Sequence, residues 1–124
     1  MSQKTVLSVG QCVPDHAALS QFFEKHFDVQ IITADLPAET LEILRTRAVD
    51  LVLINRKLDA DYSEGMEILR SIKADLELAS TPTMIVSNFE EAQQAAVAGG
   101  AVYGIGKAEL MSPAARDRVA AVLA

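Results

Sequence analysis

Reactive side chains are sparse in this chain, and those with chemical potential stand mostly alone. Cys12 is the one cysteine, so it has neither a disulfide partner nor a cluster of metal-binding thiols. Nothing in its neighbourhood marks a lowered thiol pKa, and it reads as a small apolar filler. His16 and His26 have no Cys, Asp or Glu at ligand spacing, and read as ordinary helix residues. The run from Gly100 to Lys107 has glycines and a lysine in the manner of a phosphate-binding loop. Five residues rather than four separate Gly100 from Gly106, however, and Ala108 stands where Mg²⁺ would need a hydroxyl. Four short polar groups remain: Gly10-Gln11-Cys12, Asn55-Arg56-Lys57, Ser87-Asn88 and Gly106-Lys107. An amide, a hydroxyl and an ammonium could together hold an anion. No nucleophile has a positioned base, so no enzymatic activity is expected.

Each of these groups follows a short apolar run. Val6 to Val9 reads as a buried strand stopped at Gly10, and Val29 to Ile32 as a second, rich in β-branched residues. Leu51-Val52-Leu53-Ile54 has no polar alternation, the mark of a central parallel strand covered on both faces. Met84 to Val86 predicts a fourth strand and Ala101 to Ile105 a weaker fifth. Between them lie helical stripes. Pro14-Asp15 opens one carrying Leu19, Phe22, Phe23 and Phe27, and Asp35-Leu36-Pro37 opens one carrying Leu41, Leu44 and Ala48. Asp61 with Glu64, and Asn88 with Glu91, have capping-box spacing before the third and fourth helices. Gly99-Gly100 suits a helix end, and Ser112-Pro113 starts a last helix with Ala115, Val119, Val122 and Leu123 inward. Five strands alternating with five helices predict an open α/β parallel sheet with helices on both faces, in one domain spanning 1–124. Ligands of such sheets sit beyond the carboxyl ends of the strands, where the four polar groups fall.

Composition narrows the class. The chain has 124 residues, half of them apolar and 23% charged, which excludes a disordered or collagenous chain. A net charge of −6, with basic residues scattered, argues against a nucleic-acid surface. No apolar run is long enough to span a membrane, and Met1-Ser2-Gln3-Lys4 lacks the features of a secretory signal. A cytoplasmic domain without membrane contact is the expectation.

In element order and in specific segments the whole chain resembles the receiver domains of two-component response regulators (the CheY-like family). Val49 to Ile54 resembles their third strand, Ile68 to Asp75 their third helix, Thr81 to Ser87 their fourth strand and Ala98 to Ala101 the turn before the fifth. The resemblance implies a flavodoxin-like (βα)5 fold with strand order 2-1-3-4-5. It also implies a phosphoryl-accepting aspartate after the third strand, and an acidic pair after the first that holds Mg²⁺. A Ser/Thr and a Lys would contact the phosphoryl oxygens. Here the acceptor position is Asn55, and the acidic pair falls on Gly10 and Gln11. Ser87 and Lys107 match the phosphate-contact residues, while Gly104 stands at the aromatic switch position beside Tyr103. Three carboxylates are missing together, which points to a degenerate pseudo-receiver with no Mg²⁺ or other cofactor.

Several readings remain open at this point. Ser87 either caps the following helix or contacts an anion. Lys107 either is solvated or sits beside Asn55 as a remnant of the family's site, its charge attracting an anion or pairing with Asp59 or Asp61. Asp61 reads as a helix cap and Asp59 as solvated, the alternative being an atypical phosphoacceptor. An anion or small molecule in the vacated pocket, held by Asn55, Ser87 and Lys107, is a further alternative. In the receiver family the face of the fourth helix, fifth strand and fifth helix commonly carries dimer or partner contacts. Here that face would present Phe89, Gln93, Val97, Tyr103, Leu110 and Met111. A protein partner in a signalling pathway is therefore expected, and a homodimer is compatible.

Overall fold

A computed structural model of the chain describes residues 3–123. Met1, Ser2 and Ala124, which the expected domain span and last helix include, lie outside the described residues. The elements run β1 (Lys4–Val9), α1 (Val13–His26), β2 (Val29–Ala34), α2 (Pro37–Thr46), β3 (Leu51–Asn55), α3 (Gly65–Ala74), β4 (Thr83–Val86), α4 (Glu90–Ala98) and α5 (Pro113–Leu123). A short 3-10 turn covers Lys107–Glu109.

The sheet is parallel, in the order β2-β1-β3-β4. Its strands are uncharged at the centre because both faces are covered. Leu51 and Leu53 point into a cluster with Phe22 and Phe23 of α1 and Val119 of α5. Val52 and Ile54 point into an opposite cluster with Leu44 of α2 and Ile68, Leu69 and Ile72 of α3. Each large side chain fully buried this way contributes about 1.5–3 kcal/mol. Register places Val9 beside Ile54 and Asn55 beside Val86. Gly10, Asn55 and Ser87 therefore meet at one end of the sheet.

The expected fifth strand, Ala101 to Ile105, does not form a regular ladder. Val102 N–H donates to the Thr83 carbonyl at 2.9 Å, and Ser87 N–H to the Ile105 carbonyl at 3.1 Å. The rung between them would join Gly104 N–H to the Ile85 carbonyl. The side-chain amide of Gln93, from α4, is inserted there instead. Gly104 N–H donates to Gln93 Oε1 at 2.8 Å, and Gln93 Nε2 donates to the Ile85 carbonyl at 2.9 Å and the Ser87 carbonyl at 3.1 Å. Only the isolated bridge Val86–Ile105 remains of the strand pairing. Both capping boxes are corrected too. Glu64 and Phe89 occupy the N-cap positions of α3 and α4. Asp61 instead accepts from Ser63 N–H at 2.9 Å and Ser63 Oγ at 2.6 Å, closing a turn. Asn88 Oδ1 accepts from Ala108 N–H at 2.9 Å, tying the 3-10 turn to the end of β4. The proline starts at Pro37 and Pro113 and the glycine end of α4 are as the sequence predicts.

Candidate functional site

Asn55 ends β3, and its amide is fully engaged. Nδ2 donates to the carbonyls of Lys57 at 2.8 Å and Gly10 at 3.3 Å, while Oδ1 accepts from Lys107 Nζ at 3.3 Å. The position is built for a group with two donors on one side and an acceptor on the other. A carboxylate would turn an oxygen toward two carbonyl oxygens. Neighbouring Gly10 has φ +73°, and a Cβ there would lie 2.3 Å from Leu58 Cδ2. Leu58, fully buried in the loop after β3, fills the space that a side chain at position 10 would need.

Lys107 is not held by Asp59 or Asp61, nor left solvated. It pairs with Asp15 Oδ2 at 2.5 Å, and both side chains are about 30% exposed. Asp15 lies in the first turn of α1. The hydrogen bond from Lys107 holds its carboxyl below the usual 3.8, against the upward push of partial burial, with Cys12 assisting. Sequence reasoning missed this residue, having taken Pro14-Asp15 only as a helix start. The available signal was a carboxylate one turn into the helix that follows β1, at the carboxyl end of the sheet.

A pocket of about 250 Å³ opens beside Asn55, lined by Arg56, Lys57, Ser87, Phe89 and Lys107 among others. Asn55, Ser87 and Lys107 thus line one pocket. Gln11 is not among them and lines a separate crevice toward β2. Ser87 Oγ accepts from Phe89 N–H at 3.1 Å, a local turn bond just ahead of α4. Arg56 lies 5.7 Å over the Phe89 ring, and Lys57 is 3.9 Å from Glu64. Asp59 and Asp61 are exposed and do not line the pocket. Gly10, Gln11 and Asn55 bring no carboxylate, and one intended position is occupied by Leu58.

The expected partner face is rearranged. Phe89, Val97 and Tyr103 are exposed together with Val102. Gln93 is 3% exposed, because its amide is spent inside the sheet. Leu110 is buried in the α1/α5 cluster, and Met111 lines a groove between α1 and α5 instead. Tyr103 is pinned: its ring stacks 5.2 Å from the Arg118 guanidinium and its hydroxyl donates to Glu90 at 2.5 Å. His26 packs edge-on against Phe22, as an ordinary helix residue.

No protein-family model matches this sequence, and no curated protein matches it either. Solved structures do match. The chain is similar to the chemotaxis response regulator CheY4 of Vibrio cholerae, at 17% identity over 98% of this chain and 97% of that one, with a TM-score of 0.70. It is similar to a signal receiver domain of a two-component histidine kinase from Clostridium thermocellum, at 19% identity over 98% of each chain, TM-score 0.74. The bacteriophytochrome response regulator AtBRR matches at 17% identity over 99% of this chain and 91% of that one, TM-score 0.76. The architecture is the α/β receiver fold of response regulators, here with four paired strands.

Proposed function

We propose that this chain is a signalling module of the receiver type that does not take up a phosphoryl group and acts through protein contacts. One observation carries the reading: the acceptor position holds an amide whose donors and acceptor are all used, with Lys107 bonded to it. The absent acidic pair supports the same view, since the bound metal would otherwise neutralise charge on the phosphoryl oxygens. The exposed apolar side chains Phe89, Val97, Val102 and Tyr103 form the surface best suited to a protein partner, and two copies could meet there. No helix among the described residues is long and apolar enough to cross a membrane. An anion in the pocket is less favoured, because Lys107 already carries the Asp15 charge. Exposure and the Asx-turn bonding of Asp61 likewise weigh against Asp59 or Asp61 as acceptor.

The test is incubation with acetyl phosphate and Mg²⁺, followed by intact mass measurement, together with beryllofluoride titration in amide NMR spectra. The wild type and Asn55→Asp are both expected to stay unlabelled and to show no saturable shifts after β3. Rapid labelling of Asn55→Asp, or shifts abolished by changing Asp59 or Asp61, would overturn the reading.

A further inference from the structure

Three buried side-chain nitrogen or oxygen atoms lack a hydrogen-bond partner among the described residues, and two of them belong to residues that line one crevice. They are Ser8 Oγ and Gln11 Oε1. The crevice, about 220 Å³, lies between the carboxyl ends of β1 and β2 and the opening of α1, and His16, Thr33 and Asp35 also line it.

Ser8 stands two residues after Val6, on the face of β1 that packs under α1, where an apolar side chain would extend the core. At 3% exposure its hydroxyl has no partner, and the residue lines the crevice. Gln11 reaches only the Val9 carbonyl through Nε2, at 3.4 Å, leaving Oε1 buried and free. Among the described residues the Asp35 carboxylate has no hydrogen-bond or ion-pair partner. Its backbone N–H alone is engaged, by Glu39 Oε1 at 2.7 Å. Buried polar atoms are ordinarily satisfied, so two orphans at one place call for a donor-bearing occupant.

The lining decides which occupant. Its unspent side-chain groups are mostly oxygens, and neither Lys nor Arg lines it. The volume falls below the range of about 300–1,000 Å³ usual for drug-sized ligands. We propose that this crevice binds a small organic cation rich in N–H donors, of the guanidinium or primary ammonium class. Its head group donates to Ser8 Oγ and Gln11 Oε1, and Asp35 neutralises its charge. The site is separate from the Asn55 pocket, so its failure would leave the phosphotransfer reading intact.

Amide NMR spectra of the full chain, titrated with methylguanidinium and with ethylammonium, test this. Tetramethylammonium supplies charge without N–H donors, and urea supplies donors without charge. Expected are saturable shifts at Ser8, Gln11, Thr33 and Asp35 with at least one of the two cations, and none with either control. Asp35→Asn, an exposed change that keeps the fold, should weaken binding about tenfold, as a charge-assisted hydrogen bond becomes a neutral one. Ser8→Ala should weaken it too. The proposal is overturned if shifts are absent, spread over the acidic surface, matched by a control, or unchanged in Asp35→Asn. A crevice that holds water alone would give the first of these results.

Discussion

Asn55 holds its amide between three partners from three segments of the chain, and this makes it a structural cross-link. Converting it to Asp should therefore destabilise the fold by about 0.5–1.5 kcal/mol, the net contribution of a hydrogen bond lost at a part-buried position. Urea unfolding of Asn55→Asp against wild type measures this. Asp15 plays the complementary part by neutralising Lys107. Its folded pKa lies below the ordinary 3.8, so the stabilisation it brings is fully present above that pH. It is lost as pH falls through the folded value. The stability difference between wild type and Asp15→Asn should thus be constant near neutrality and shrink below about pH 3.8. A difference that grew on acidification would refute the pairing. Asp15→Asn should also gain thermal stabilisation from added phosphate that the wild type lacks, because Lys107 is then uncompensated.

At the scale of elements, two packing events set the surroundings of positions 10 and 104. The loop after β3 places Leu58 against Gly10, so restoring Asp at positions 10, 11 and 55 together would force a Cβ to within 2.3 Å of the Leu58 side chain. The triple variant should bind no Mg²⁺, read by isothermal titration, and lose about 1–3 kcal/mol. At the β4 edge of the sheet, α4 sends Gln93 into the rung between β4 and the chain at Gly104. A Cβ at Gly104 would stand 2.3 Å from the Ile85 carbonyl oxygen, which is why no aromatic occupies that position. Gln93→Ala should cost about 1–3 kcal/mol and speed hydrogen exchange of the Gly104 amide, since its acceptor is gone.

For the whole molecule, two apolar clusters share one four-stranded sheet, and neither has a core of its own apart from it. Heating should unfold both together. Far-ultraviolet circular dichroism and hydrogen exchange of α1 and α3 amides should report one coincident transition. Separate transitions for the α1/α5 layer and the α2/α3 layer would contradict a single folding unit. The exposed Phe89, Val97, Val102 and Tyr103 lie on the α4 side, and Met111 lines a groove on the α1 side, so the apolar residues expected on one partner face are split between two places.

Sequence alone determined the alternation of strands and helices, the burial of β3, the proline starts of α2 and α5, and the absence of carboxylates at positions 10, 11 and 55. These are local facts: periodicity, turn chemistry and residue type act over a few neighbours. Tertiary structure decided which groups meet across distance. The Asp15–Lys107 pair spans 92 positions, Asn55 reaches Gly10 across 45, and Gln93 reaches Gly104 from a separate element. Nothing in the periodicity of α4 distinguishes a buried Gln93 from an exposed one. Burying its amide is favourable only because the β4 carbonyls and the Gly104 N–H are placed to receive it, and that placement exists only in the folded sheet.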